Sequence, residues 1–210
     1  MQKLKGLRLG LVVLAGVSAF AVLPVTSTNF GAVAYAEENQ NAAAEKFIQS
    51  LTDTGVGFLS DESLSLDQQK KEFKKILTRD FDLNTIGRVA LGKHWRKASE
   101  AQKKEYLSLF KDMVIDVYSK RFEDYNGQKI EVTRSRPEGK RDVLVSSILK
   151  QDGGPDVRLD WRVRKKGSQY KVIDVIVEGV SMSLTQRSDF ASVIQRGGGE
   201  VEALLVHLRS

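Results

Sequence analysis

Cysteine is missing from this 210-residue chain, and histidine occurs only twice. Without cysteine there is no disulfide, no thiol nucleophile and no cysteine-ligated zinc, so the core alone must hold the fold. His94 lies in the polar GKHWRK stretch and His207 near the C-terminus. Neither has a spacing of the H-E-x-x-H kind, so a zinc centre finds no ligand set. A G-x-S-x-G nucleophile elbow and a glycine-rich phosphate loop are also absent. The glycines of RGGGE (196–200) follow no strand and precede no Lys-Ser/Thr, and read as a hinge between helices. No apolar run is long enough to span a bilayer: Leu9–Leu23 is short and Pro24 closes it.

That short run is instead flanked as a secretory leader should be. Lys3, Lys5 and Arg8 precede it, and Ala34-Tyr35-Ala36 follows as an A-x-A cleavage signal. The expected division is a signal peptide over 1–36 and a single domain over 37–210. Removing the three leader cations lowers the formal charge from +6 to +3. A mild positive charge suits an anionic membrane surface or an acidic partner without demanding either. With no lipid-attachment cysteine after the cleavage site, the exported protein is expected free in the periplasm.

Helical patterns come first and strands second, which predicts an α+β fold with a helical layer on an antiparallel sheet. A first helix is read over 41–60, loosened by Gly55 and Gly57. Ser65 and Gln68, and again Ser99 and Gln102, form capping boxes that open two further helices. Between them a short helix turns Leu83, Ile86, Val89 and Ala90 inward and stops at Gly92. The helix from Ser99 carries Phe110, Met113, Val114, Val117, Tyr118 and Arg121 at helical spacing and is expected to run to Asn126-Gly127. Four strands follow, around Ile130, Leu144, Trp161 and Val175, then two closing helices. In VRLDWRVRKK, Arg158, Arg162 and Arg164 alternate with Val157, Leu159, Trp161 and Val163, which gives one dry and one wet face.

Two carboxylates, Asp174 and Glu178, interrupt VIDVIVEGV. If both lie in one strand they share a face about 13 Å apart, too far for a glycosidase pair. Ion pairs with neighbouring Lys or Arg are the expected role. RSRPEGKR and RVRKK lack the interleaved aromatics of a nucleic-acid surface and read as solvated strand faces, so no nucleic-acid partner is expected. What remains is an apolar surplus shared between two layers. It can fill a core or line a cavity, and periodicity does not separate the two.

Several blocks resemble the MlaC family of periplasmic phospholipid-binding proteins, also called the toluene-tolerance family. These are Phe81…Arg88-x-x-Leu91-Gly92-x-x-Trp95, Ser99-x-x-Gln102, and Asp174-Val175-x-Val177-Glu178-Gly179-Val180-Ser181 running into Thr185-x-Arg187-x-x-Phe190. The likeness covers roughly residues 42–208. A related branch is associated with hopanoid biosynthesis. The resemblance implies a curved antiparallel sheet under helices, similar to nuclear-transport-factor-2-like folds, with a cavity for acyl chains. It implies phospholipid as ligand with no other cofactor, and no catalytic group. It further implies shuttling between an outer-membrane lipoprotein complex and an inner-membrane ABC transporter with a substrate-binding MCE component, in service of outer-membrane lipid asymmetry. A hopanoid-related ligand, or a periplasmic adaptor with a filled core, is the alternative.

On that basis Phe81, Ile86, Phe110, Met113, Val117, Leu144, Trp161, Val175 and Val177 are the expected cavity wall. Arg88 or Lys93 is expected at its rim as a phosphate donor. The wet face bearing Arg158, Arg162 and Arg164 is the expected docking surface. Val175 and Val177 should share one strand face, and Val172 and Ile176 the other.

Overall fold

The computed structural model describes residues 30–151 and 153–210. The basic and apolar parts of the expected leader lie outside the described residues. The chain forms α1 (Phe30–Leu59), α2 (Leu66–Asp80), α3 (Leu83–Leu91), a 3-10 turn (Gly92–Arg96) and α4 (Glu100–Ser119). Strands β1 (Lys129–Glu138), β2 (Asp142–Lys150), β3 (Val157–Lys166), β4 (Gln169–Val177) and β5 (Val180–Ser181) follow, then α5 (Met182–Arg196) and α6 (Val201–Arg209). The strands make one antiparallel meander in the order β1-β2-β3-β4-β5. This is the α+β architecture expected from the order of patterns.

Both capping boxes form. Ser65 Oγ accepts from Gln68 N at 3.4 Å while Gln68 Oε1 accepts from Ser65 N at 2.8 Å. The Ser99–Gln102 pair repeats this at 3.2 and 3.1 Å. Each box satisfies two amide donors that a helix start leaves unpaired. Asp82 caps α3 by accepting from Thr85 N at 3.1 Å. Gly92 ends α3 at φ 58°, a left-handed conformation open to glycine.

Two helix boundaries differ from the sequence reading: α1 begins at Phe30, ahead of residue 41, and α4 ends early. α1 passes through Gly55 and Gly57, because Leu51 and Phe58 on the same helix are buried in the core and hold it. α4 stops at Ser119, ahead of Asn126-Gly127. The chain then turns back, with Arg121 N donating to Tyr118 O and Phe122 N to Ser119 O, each at 3.1 Å. The turn places the Phe122 ring 5.8 Å from Phe58 and 5.3 Å from Phe73, so three aromatic rings close what a longer helix would have left open. Val89 points outward at 37 % exposure. Gly87, not Val89, sits on the inward stripe of α3: a Cβ there would meet Leu107 and Phe110 at 3.0 Å.

β4 departs from simple alternation. Arg162 faces Asp174, but the next residue, Val163, faces Val172, so Ile173 is an extra residue in a bulge. The bulge resets the parity: Val172, Val175 and Val177 pair with Val163, Trp161 and Leu159 on one face. The expected grouping of Val172 with Ile176 is therefore replaced by Val172 with Val175 and Val177. β4 ends at Val177, and Glu178 (φ 49°) and Gly179 (φ 82°) turn the chain back into β5. Beyond β5 the free edge of β4 is covered by the α2–α3 link, where Phe81 bridges Val172 and Asp82 N donates to Val172 O at 2.9 Å.

Two apolar clusters result. One joins α1 and α2 to the dry sheet face through Ile48, Phe58, Ile76, Val143, Val145, Trp161, Val163 and Val172. The other packs α3, α4, α5 and α6 through Ala90, Leu91, Tyr106, Phe110, Phe190, Ile194 and Leu204.

Candidate functional site

A cavity of about 290 Å³ opens where the clusters meet. Its walls are Phe73 and Leu77 of α2, Phe81 of the link, Leu83 and Ile86 of α3, and Phe110, Met113, Val114, Val117 and Tyr118 of α4. Trp161 of β3, Asp174, Val175 and Val177 of β4, and Met182, Ser183 and Gln186 of α5 complete them. The α4 contribution follows from spacing: residues 110, 113, 114 and 117 fall on one helical stripe. Val117 and Tyr118 stand at the open end, 49 % and 44 % exposed.

A second cavity of about 490 Å³ adjoins the first. Leu51, Val56, Phe58 and Leu59 of α1 line it, with Ile76, Phe122, Ile130 and Leu149. Phe73, Phe81, Tyr118 and Trp161 line both. Trp161 is fixed in that shared wall because its indole N–H donates to Ser147 Oγ at 2.9 Å, and Ser147 Oγ donates to Leu159 O at 3.3 Å. Arg121 is the one cation among the described residues that line either cavity, and it is exposed.

Polar groups in the first cavity are few, and its charged group is engaged. Asp174 is its one carboxylate. It accepts Ser181 Oγ at 2.5 Å, Ser183 Oγ at 2.8 Å and Ser183 N at 3.2 Å, which ties β4 to the start of α5. This replaces the expected Lys or Arg pairing. Glu178 lies in the turn, outside β4, and accepts the main-chain N–H of Arg158. The two carboxylates thus hold backbone in place and share no site. Among the described residues no group of His, Cys, Asp and Glu is arranged to hold a metal ion.

Eight of the expected wall residues, Phe81, Ile86, Phe110, Met113, Val117, Trp161, Val175 and Val177, line the first cavity. Leu144 does not. Val143 and Val145 take the dry face of β2, so alternation sends Leu144 to the other face, opposite Arg162. Arg88 and Lys93 are not at the rim either. Arg88 is turned away from the cavity, its guanidinium 5.9 Å from the Trp95 ring centroid. Nor are the arginines of the wet face free. Asp142, with 3 % of its side chain exposed, accepts Arg162 Nε at 2.8 Å and Arg164 Nε at 2.6 Å. Burial pushes the Asp142 carboxyl up, but the hydrogen bonds from Arg164 and Arg162 outweigh it and hold the group below the ordinary carboxylate range.

Sequence reasoning missed the second cavity and Arg121's place in it. The sequence reading gives α1 no wall residue, and it places Arg121 in a helix continuing to Asn126-Gly127. Phe58, Phe73 and Phe122 sit far apart in sequence, and only the early stop of α4 brings them together.

A helix-backed antiparallel meander with adjoining apolar cavities between its layers defines a hollow α+β protein. The chain belongs to the MlaC family: the family model, described as "MlaC protein", matches residues 49–210. It is 26 % identical over 110 residues to the toluene tolerance protein ttg2D of Pseudomonas putida, covering 52 % of this chain and 51 % of the relative. It is 22 % identical over 121 residues to the intermembrane phospholipid transport system binding protein MlaC of Haemophilus influenzae, covering 56 % of each. The chain therefore spans about half the length of the curated relatives it matches. The solved phospholipid-binding protein from Ralstonia solanacearum, in complex with a phospholipid, superposes with a TM-score of 0.69 at 23 % identity. That match covers 79 % of this chain and 94 % of the other, and shows the shared fold.

Proposed function

We propose that this protein is a periplasmic phospholipid carrier, released from its leader after Ala36 and folded as one domain over 37–210. The observation that carries the reading is the pair of apolar cavities meeting at Phe73, Phe81, Tyr118 and Trp161. Acyl chains lie in these cavities and the head group stays outside. Each buried methylene gains about 0.8 kcal/mol relative to water, so two long chains are worth on the order of 20 kcal/mol. A carrier must return most of that through apolar contact and must present no unpaired buried charge. The engaged Asp174 meets the second condition. The family relatives named for phospholipid binding and transport support the same reading.

Phe81, Ile86, Phe110, Met113, Val117, Trp161, Val175 and Val177 are the proposed chain contacts. Arg121 takes the rim role expected of Arg88 and Lys93, as a charge-assisted donor to a phosphate. The carrier shuttles lipid between an outer-membrane lipoprotein complex and an inner-membrane ABC transporter with an MCE component. Nothing in this cycle calls for bond-making, so the protein acts as a carrier and not as an enzyme.

Native mass spectrometry of freshly purified protein tests the reading. A co-purifying phospholipid mass is expected, reduced in Val177→Trp while the circular dichroism spectrum is kept. An empty wild-type protein that takes up no lipid from vesicles would instead fit an adaptor.

A further inference from the structure

Residues 83–99 contain four Lys or Arg, one His and no Asp or Glu. The fold gathers these charges at one end. Lys93, Arg96 and Lys97 are exposed around the 3-10 turn. Arg88 reaches the same place by stacking on Trp95, and Lys103 approaches that ring from α4 at 5.6 Å. Arg187 arrives from α5, its stem lying against Gly92. Lys103 is paired with Glu100 at 2.8 Å. Among the described residues none of Arg88, Lys93, Arg96, Lys97 or Arg187 takes part in an ion pair.

On the wet face of the sheet, by contrast, the cations are paired. Arg162 and Arg164 close on Asp142, and Lys166 on Asp82. Five uncompensated cations on one short surface repel each other, and a negatively charged partner relieves that repulsion. The same surface carries Val89, 37 % exposed, and the half-buried Trp95. An indole framed by cations, beside an exposed aliphatic, suits the boundary between head groups and acyl chains. An acidic protein face would match the charge but has no need of that pair. The helices that carry Arg88 and Arg187 also supply cavity wall, through Ile86 of α3 and Gln186 of α5.

We propose that this end of the molecule, Arg88, Lys93, Arg96, Lys97 and Arg187 around Trp95, is a docking surface for anionic phospholipid bilayers. The proposal rests on the carrier reading for its choice of a bilayer as the polyanion. It brings α3 and α5, two of the helices that wall the first cavity, to the membrane when the surface is engaged.

Co-sedimentation of the purified protein with sucrose-loaded vesicles tests it. Binding to vesicles of mixed phosphatidylcholine and phosphatidylglycerol should exceed binding to pure phosphatidylcholine and fall as salt rises. The Lys93→Gln/Arg96→Gln/Lys97→Gln protein should lose at least about tenfold in partitioning to the anionic vesicles, given the contribution of each cation near such a surface. Lys71→Gln/Lys74→Gln, the same kind of change on α2, should stay within about twofold of wild type. Equal partitioning of the triple variant and wild type, or wild-type protein indifferent to both vesicle types, overturns the proposal; the second result would point to an acidic protein face. Lipid retained in native mass spectra of the triple variant keeps the carrier reading separate, because that measurement depends on the cavity and not on docking.

Discussion

The side chain of Arg187 lies across Gly92, so closely that a Cβ on residue 92 would stand 2.8 Å from Arg187 Cδ. Two blocks of the family signature, nearly a hundred positions apart, are thus one contact between the end of α3 and α5. Gly92 carries two constraints, its φ of 58° and this close approach. Gly92→Ala should destabilise the protein by about 2 kcal/mol. Adding Arg187→Ala should recover the steric part and leave the dihedral part. Urea melts of the two single variants and the double variant check this, with a sub-additive double as the expected result.

Trp161 and Trp95 are the chain's two tryptophans, and Trp161 alone lines the cavities. Bromine-labelled acyl chains should quench emission in the Trp95→Phe protein and leave the residual emission of Trp161→Phe almost untouched. Quenching of Trp95 instead would place the chains outside the two cavities.

Arg121 should matter where Arg88 does not. Arg121→Ala is expected to weaken retention of anionic phospholipid by about tenfold, the usual scale for losing one charge-assisted hydrogen bond. Arg88→Ala should leave retention in detergent solution unchanged. Competitive loading followed by native mass spectrometry reads both.

Charge reversal at Arg162 and Arg164 should damage the fold and not merely docking. Asp142 is nearly sealed from water and depends on both guanidinium groups. Replacing both by Ala strands that carboxylate, at a cost of about 3 kcal/mol; Asp142→Asn in the same background should restore part of it. The Asp142 carboxyl is held low in the fold, so its contribution is present above the ordinary carboxylate pKa of 3.8 and is lost as pH falls through the lower folded value.

His94 gives a second pH dependence at milder acidity. Burial, with Lys93 and Lys97 nearby, holds it below its ordinary 6.5, and its Nδ1 is buried without a hydrogen-bond partner. Below that value the unfolded chain takes up a proton that the folded chain does not. Stability should therefore decline as pH falls from 6.5 toward the lower folded pKa. Denaturant midpoints measured from about pH 7 to about pH 5 should show this slope, flattened in His94→Gln.

The helix starts at Ser65 and Ser99 were legible because a capping box is a local device: four residues contain both partners. The α4 stripe was legible for the same reason, since periodicity follows from helix geometry alone. Leu144 and Val172 were harder. Which face a strand residue takes depends on its neighbours' register, and one bulged residue, Ile173, reverses the answer for everything before it. The fate of the charges was not legible at all. Arg88 and Arg162 look alike in the sequence, yet one stacks on Trp95 and the other is held by an aspartate 20 positions away. The end of α4 was misplaced because Asn-Gly is a strong local stop, whereas the actual stop serves the packing of Phe122 against Phe58 and Phe73.

The adjoining cavities of about 290 and 490 Å³ also have a mechanical meaning. A globule that keeps such volume free of its own side chains loses that volume on unfolding, so hydrostatic pressure acts directly against it. The empty protein should be compressible and pressure-labile even where it is thermally sound. An occupant that fills the space would stiffen it. Pressure-jump or high-pressure fluorescence would thus weigh the contents of the molecule without any label on the ligand.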